Sequence, residues 1–333
     1  MIKAISLLSG GLDSILASRL ILNQGIKIEA VNFTSVFYSG SEEQACLPAK
    51  TAAQAMGISL KIFDISRELF GIIKNPQHGY GRNINPCIDC HAFMFKKAYE
   101  YMKEIGAGFL VTGEVLGERP MSQRKDALEL IDRHIGLEGF ILRPLSAKLL
   151  TPTIPEEKRW VDRDKLLDIK GRSRKPQIEL AKEFKITDYP TPAGGCLLTD
   201  LGFANRLRDL IKYKQDFSVT DVYFLKIGRH FRLTENIKLV VGRNDRENKR
   251  LLYLAQPGDI CFRPVSTKGP VAVAKGILDS AHISAAASIV ARYSDKLQDS
   301  RMIEVEYRKL PGSVAATVVT APAPDLSLEK IRI

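Results

Sequence analysis

Along the first half of the chain, short apolar runs alternate with longer stretches whose apolar positions recur every three or four residues. The runs KAISLL (3–8), IKIEAVNF (26–33), LKIFDIS (60–66) and FLVTGE (109–114) read as buried strands. Between them ILASRLILNQ, EEQACLPAKTAAQAM and HAFMFKKAYEYMKEIG carry the helical period. This alternation predicts a mostly parallel sheet with helices on both faces, its ligands gathered at the carboxyl ends of the strands.

The pattern breaks over PLSAKLLTPTIPEEKRW (144–160), where prolines predict an irregular connection, and resumes as the basic turn KGRSRKPQ and a short helix, IELAKEF. TDYPTPAGGCLLTD (187–200) is expected to be a loop. Beyond about 217 the runs DVYFLKIG, HFRL, KLVVGR, GDICFRP and VAVAKGI are short and β-rich, with a helix expected near 281–292 and a strand near 302–308. The expected fold is therefore an α/β, parallel-sheet domain over 1–200 and a smaller α+β or β-rich domain over 206–310. Residues 311–333 are expected to be a loosely held C-terminal tail.

Composition narrows the function. With 333 residues the chain has room for two cores, and no apolar run reaches the length of a membrane span. MIKAISLLSGG is too short for a signal peptide, so a reducing cytoplasm is expected. Five scattered cysteines make no disulfide framework. The 49 basic and 38 acidic residues leave a net charge of +11, and residues 201–333 hold 22 basic against 14 acidic. That bias points the second domain toward a polyanion.

The loop SGGLDS (9–14) lies between the first strand and the first helix. Gly10 and Gly11 allow close backbone approach, Ser9 and Ser14 add hydroxyls, and the helix start offers N–H groups to phosphate. Asp13 would repel phosphate unless Mg²⁺ lies between, which favours a nucleotide with its metal. The loop lacks the GxxxxGK[ST] string of a Walker loop. It resembles the loop of the PP-loop ATP pyrophosphatases, which cleave ATP between its α and β phosphates. That resemblance implies the adenine nucleotide alpha-hydrolase-like (HUP-type) fold, with Leu12 in the ATP loop and Phe33 of NFTSVF lining the adenosine pocket. TGEVLGERPMSQ (112–123) resembles the second nucleotide loop of tRNA 4-thiouridine synthases, which places Gly113, Gly117, Arg119, Ser122 and Gln123 at ATP.

Cysteines supply the second chemistry. NPCIDC (85–90) spaces Cys87 and Cys90 as CxxC just before a helix, whose N-terminus is expected to lower their pKa, and PAGGC returns Cys196. Four readings compete: part of a zinc site, for which Cys46, Cys261 and His91 are poorly spaced partners; a thioredoxin-like redox pair, for which the surrounding fold is wrong; a persulfide pair as in the 2-thiouridylases; or a 4Fe–4S cluster on Cys87, Cys90 and Cys196, which resembles the iron–sulfur tRNA thiolases. Cys46 and Cys261 read as packing residues.

The resemblance implies an ATP-dependent tRNA thiouridine synthase that adenylates a uridine carbonyl and replaces its oxygen with sulfur, with Asp13, Cys90 and Cys196 catalytic. Neither a rhodanese-like extension nor a THUMP segment is recognisable, so sulfide or a persulfide carrier is the expected sulfur donor. KIGRHFRLTENIKLVVGRNDREN through VAVAKG (226–276) resembles the RNA-binding domain of the NFACT family, which implies tRNA contacts from Arg229, His230, Arg243, Asn244, Asn248 and Lys249. Arg172, Arg174 and Lys175 are expected to guide the tRNA. Two other functions fit parts of the pattern: a PP-loop amide ligase using zinc on a small molecule, and a non-enzymatic RNA-binding module. The modified uridine, the choice of C2 or C4 and the oligomeric state are not legible.

Overall fold

The computed structural model describes residues 2–40, 42–190, 196–265, 267–295 and 302–333. The chain divides into two compact units, Met1–Thr199 and Asp200–Ile333. The PAGG stretch before Cys196 lies outside the described residues.

In the first unit the elements run β1 (Lys3–Leu7), α1 (Leu12–Leu22), β2 (Lys27–Thr34), α2 (Glu42–Met56), β3 (Ser59–Asp64), α3 (Ser66–Lys74), α4 (Cys87–Glu104), β4 (Phe109–Thr112), α5 (Lys125–His134), β5 (Ile141–Leu142), α6 (Ile154–Glu157) and α7 (Lys175–Glu183). The strands pair in parallel in the order β3-β2-β1-β4-β5. The chain thus leaves β1 toward β2 on one side and returns to β4 on the other, which opens a crevice at the carboxyl ends of β1 and β4. The inner strands are largely buried because helices cover both faces: α1 and α7 pack with Leu12, Leu16, Leu20, Phe109 and Ala181 in one cluster, and Leu8, Ile15, Ala52 and Ala53 form another with α2.

One polar network is buried in this unit. Arg143, at the end of β5, donates from Nε to Glu114 Oε2 at 2.9 Å and through both terminal nitrogens to Asp132 of α5 at 2.8 Å. Glu114 Oε1 in turn meets His91 Nδ1 of α4 at 3.0 Å. Burial would push the Glu114 carboxyl up, but the Arg143 guanidinium and the bond to His91 hold it below its usual range. The network fixes α4, β4 and α5 to one another.

The second unit runs α8 (Leu201–Tyr213), α9 (Val219–Leu225), β6 (Arg229–Thr234), β7 (Ile237–Val241), α10 (Asp245–Leu254), β8 (Ile260–Pro264), β9 (Ala272–Lys275), α11 (Ser280–Arg292), β10 (Ile303–Lys309), β11 (Ala316–Thr320) and α12 (Asp325–Ile331). Its strands form an antiparallel sheet in the order β11-β10-β8-β9-β7-β6. DVYFLKIG, expected as a β run, forms α9 instead. Ser218 and Asp221 build a reciprocal capping box there, which satisfies the first N–H groups and starts a helix. Residues 311–333 also differ from the expected tail: β11 pairs with β10 and Leu328 of α12 is 5% exposed in the core beside Phe231 and Ala287. Its apolar face outweighs the proline-rich look of the segment.

Two outcomes test this fold. Leu328→Ala should lower the unfolding free energy by about 2–5 kcal/mol in a urea titration, whereas a loosely held tail would give no change. Glu114 has a folded pKa below its unfolded value, so its stabilisation is complete above about pH 4.3 and is lost as pH falls through the folded value. Glu114→Gln should cost about 3–5 kcal/mol at pH 7 and make acid unfolding shallower; an acid limb identical to the wild type would contradict the assignment.

Candidate active site

The turn after β1 is shaped by two contacts that admit no side chain. Gly10 has φ +80°, and a Cβ there would fall 2.3 Å from the Pro48 carbonyl carbon of α2. Gly113, just after β4, would place a Cβ 2.4 Å from the Ser14 backbone nitrogen and 2.6 Å from the Asp13 carbonyl carbon. The second loop therefore rests directly on the first turn of α1. Within the first loop Ser14 Oγ donates to the Gly11 carbonyl at 2.8 Å, its oxygen lies 3.1 Å from Ser9 Oγ, and the Gly11 N–H donates to Ser9 Oγ at 3.2 Å. Leu12 contributes only backbone here, since its side chain is in the core.

In the second loop Gly117 has φ +79° and its N–H donates to the Gln123 carbonyl at 2.7 Å, while the Arg119 N–H donates to Gln123 Oε1 at 3.1 Å. Gln123 and Ser122 are buried and close the loop, which leaves Arg119 exposed at its tip. Phe33 is buried at the end of β2 and stacks on Phe63 at 5.6 Å between centroids.

The basic turn is held beside the two loops. The Gly171 N–H donates to the Leu116 carbonyl at 2.7 Å, and α7 packs on α1. Arg174 is thereby half-buried where its charge acts on Asp13, while Arg172 and Lys175 are exposed. Burial pushes the Asp13 carboxyl up, against the pull of the Arg174 and Arg119 charges. Asp13 Oδ1, Arg174 Nε and both polar side-chain atoms of Gln177 are buried without hydrogen-bond partners. Such orphans cost about 1–3 kcal/mol each and mark a place where something else binds. An Mg²⁺ ion with phosphate oxygens fits this set, with carboxylate oxygen for the cation and guanidinium for the anion. Glu118 joins the cluster: burial and the Asp13 charge push its carboxyl up. Gln177 and Glu118 were missed in the sequence. Glu118 stood inside the second motif, but nothing local marked Gln177.

Cys87 and Cys90 lie within the first turn of α4 and not before it, and Cys196 is brought to them from a distance. The Leu197 N–H donates to the Phe37 carbonyl at 2.9 Å, the Ile84 N–H to the Leu198 carbonyl at 3.3 Å, and Asn83 Nδ2 to the Thr199 carbonyl at 2.7 Å. Asn85 Nδ2 donates to Cys87 Sγ at 2.8 Å. The three thiols feel one another: burial pushes Cys90 up, with Cys196 and Cys87 adding to it, and burial with Cys87 pushes Cys196 up to about 11. Cys87 is pushed up by burial against Arg119 and Asn85. The helix start was expected to lower these thiols, and desolvation reverses the sign. Tyr38, also missed in the sequence, is pushed up by burial and by Cys90 and Cys196, which places its phenol at the same cluster. Among the described residues no three His, Cys, Asp or Glu side chains are gathered closely enough to hold a metal ion. The donor set itself, three thiols with an amide donor, suits a thiophilic metal or cluster.

In the second unit the residues expected at RNA divide. His230 is 1% exposed, burial holds its imidazole well below the usual value, and its Nε2 lies 2.8 Å from the Ile227 carbonyl. Asn244 caps α10 by accepting from the Glu247 N–H at 3.0 Å, and Asn248 Oδ1 accepts from the Val271 N–H at 3.0 Å. These three build the fold. Arg229 lies over the Tyr293 ring at 4.4 Å and Arg243 pairs with Glu247, while Lys249 is exposed and pairs with Asp245 at 2.7 Å. Among the described residues no helix is long and apolar enough to cross a membrane.

Residues 2–148 match the family model described as thiamine biosynthesis protein (ThiI), and residues 228–332 match the NFACT protein RNA binding domain. A tRNA-specific 2-thiouridylase, MnmA of Syntrophotalea carbinolica, is 31% identical over 114 residues, 32% of each chain. Thus the match spans about a third of the length of such curated relatives. A solved 4-thiouridine synthetase in complex with RNA and ATP is 27% identical, with 44% of this chain and 37% of that one covered and a TM-score of 0.36. The U34-tRNA thiolase NcsA of Methanococcus maripaludis, solved with its 4Fe-4S cluster, is 16% identical over 67% of this chain and 69% of that one, with a TM-score of 0.33. The first unit is therefore similar over residues 2–148 to the ThiI family model, and the second over residues 228–332 to the NFACT RNA binding domain.

Proposed function

We propose that this chain is an ATP-dependent tRNA thiouridine synthase, which adenylates a uridine carbonyl and replaces its oxygen with sulfur. The observation that carries the reading is the seating of the second loop on the first, where a Cβ at Gly113 would meet the Asp13–Ser14 backbone, so that Arg119 at the tip of that loop acts on Asp13 and on Cys87. Nucleotide chemistry and sulfur chemistry then share one site. The Gly10–Ser14 turn would cradle the phosphates, Asp13 would hold Mg²⁺ against them, and Arg119 with Arg174 would stabilise charge developing on the leaving pyrophosphate. The uridine oxygen attacks the α-phosphorus and pyrophosphate departs; hydrosulfide then adds to the activated carbon, and AMP leaves with the original oxygen.

Cys87, Cys90 and Cys196 would hold a 4Fe–4S cluster, which supplies a Lewis-acidic iron to bind hydrosulfide without a redox step. The sulfur comes from free sulfide, or from a persulfide carrier whose S–S bond is cleaved by a second thiol, which releases hydrosulfide and leaves a disulfide. The donor set supports this over zinc: the three side chains that act on one another here are all thiols, and sulfur ligands suit an iron–sulfur cluster, whereas a structural zinc site wants four ligands. RNA binding falls to the second unit.

Asp13→Asn should lower tRNA-dependent pyrophosphate release by about 100-fold or more while the protein stays folded; turnover within tenfold of the wild type would contradict the ATP assignment. In protein purified without oxygen, Cys87→Ser, Cys90→Ser and Cys196→Ser should each lose iron and thiolation together, and Cys46→Ser and Cys261→Ser should lose neither. Iron-free wild-type protein that still thiolates tRNA would replace the cluster by a persulfide.

A further inference from the structure

The packed face of α7 reverses the usual sorting of side chains. Gln177 is 0% exposed, while Ile178, the next residue, is 38% exposed. One turn beyond Gln177, Ala181 lies in the apolar cluster with Leu12 and Leu16, so this side of α7 is the one turned to α1. An amide set into such a face costs stability unless its N–H and its C=O are both bonded. Neither is: Gln177 Nε2 and Oε1 have no hydrogen-bond partner among the described residues.

Two neighbours are left in the same state. Asp13 Oδ1, in the first turn of α1, and Arg174 Nε, at the N-cap of α7, are also buried without partners. Arg174 and Gln177, three apart, share one side of the helix, and both lie beside Asp13. Elsewhere among the described residues such atoms are scattered singly, as on Asn32 and His230. The trio holds two donors and two acceptors that match one to one, guanidinium Nε–H to amide oxygen and amide N–H to carboxylate oxygen. A side chain as enclosed as Gln177 cannot itself touch a nucleotide, so its partners have to come from the protein.

We propose that Gln177 is a positioning residue that joins Arg174 to Asp13 when a nucleoside triphosphate with its Mg²⁺ occupies the glycine loop: Arg174 Nε–H donates to Gln177 Oε1, and Gln177 Nε2–H donates to Asp13 Oδ1. The link holds Asp13 with its second oxygen toward the cation and Arg174 with its terminal nitrogens toward phosphate. The first turn of α7 thereby becomes part of the nucleotide site. A glutamate at 177 would repel Asp13, and an apolar residue would bond to neither neighbour; an amide can give and take at once. The proposal rests on the reading of the loop as an ATP site.

Calorimetry on the full chain with Mg²⁺ and ATP, without tRNA, tests it beside urea unfolding without nucleotide. Gln177→Met, of similar length but with no amide, should raise the urea midpoint, because it removes an unpartnered buried group, and yet weaken Mg·ATP binding by about 5- to 150-fold. A residue that only shapes the fold would instead move stability and affinity down together. Arg174→Lys keeps the charge and loses the guanidinium Nε–H. Adding Gln177→Met to it should weaken binding by no more than about twofold further, since the link is already broken. Ile178→Ala, at the exposed neighbour, is the control and should leave the affinity unchanged. Gln177→Met protein that binds Mg·ATP as the wild type does, or whose urea midpoint falls with its affinity, would overturn the link and leave the enzyme reading standing. Losses that multiply in the double variant would do the same, and wild-type protein with no affinity for Mg·ATP would overturn both.

Discussion

The contact on which the first unit turns is the meeting of Gly113 with the Asp13–Ser14 backbone. It brings the loop after β4 onto the first turn of α1 at the one place where the sheet order reverses, and no other residue type fits there. From it follow the placement of Arg119 at the tip of the second loop, of Glu114 on the Arg143–His91 network, and so of α4 with its two cysteines. Gly171 on Leu116 extends the same arrangement to the basic turn and delivers Arg174 to Asp13. The site is a set of loops held by backbone, with few side chains free to vary.

The site also departs from what a self-sufficient fold would do. Asp13, Arg174 and Gln177 keep buried polar atoms without partners, and three thiols are gathered where burial disfavours their charged form. Left alone, these features cost stability. They become favourable with a nucleotide and its metal on one side and a thiophilic group on the other, which is the physical content of reading the region as a site for both.

How much of this was legible depended on the range of the interaction. Strands buried on both faces announce themselves as apolar runs, so the parallel sheet and its crevice could be read directly, as could the two glycine-bearing loops. The capping boxes were equally local and were passed over. Asp221 of the box that starts α9 was read as the first residue of a β run, and Asn244, the N-cap of α10, was read as an RNA contact. The tail was misjudged because its prolines hide an apolar helix face carried by Leu328. What no local pattern could disclose was Arg174 turning inward, Gln177 behind Asp13, Tyr38 beside the thiols, and the sign of the thiol shifts, since each depends on residues brought together from separate parts of the chain.

The central claim is that one site activates an oxygen of RNA with ATP and then replaces it with sulfur. The most direct measurement uses tRNA whose uracil carbonyls carry ¹⁸O, incubated without oxygen with the protein, ATP, Mg²⁺ and sulfide, with both products read by mass spectrometry. The account predicts one ¹⁸O in the AMP for each sulfur gained by the RNA. AMP bearing only solvent oxygen, or pyrophosphate released while the RNA gains no sulfur, would contradict it.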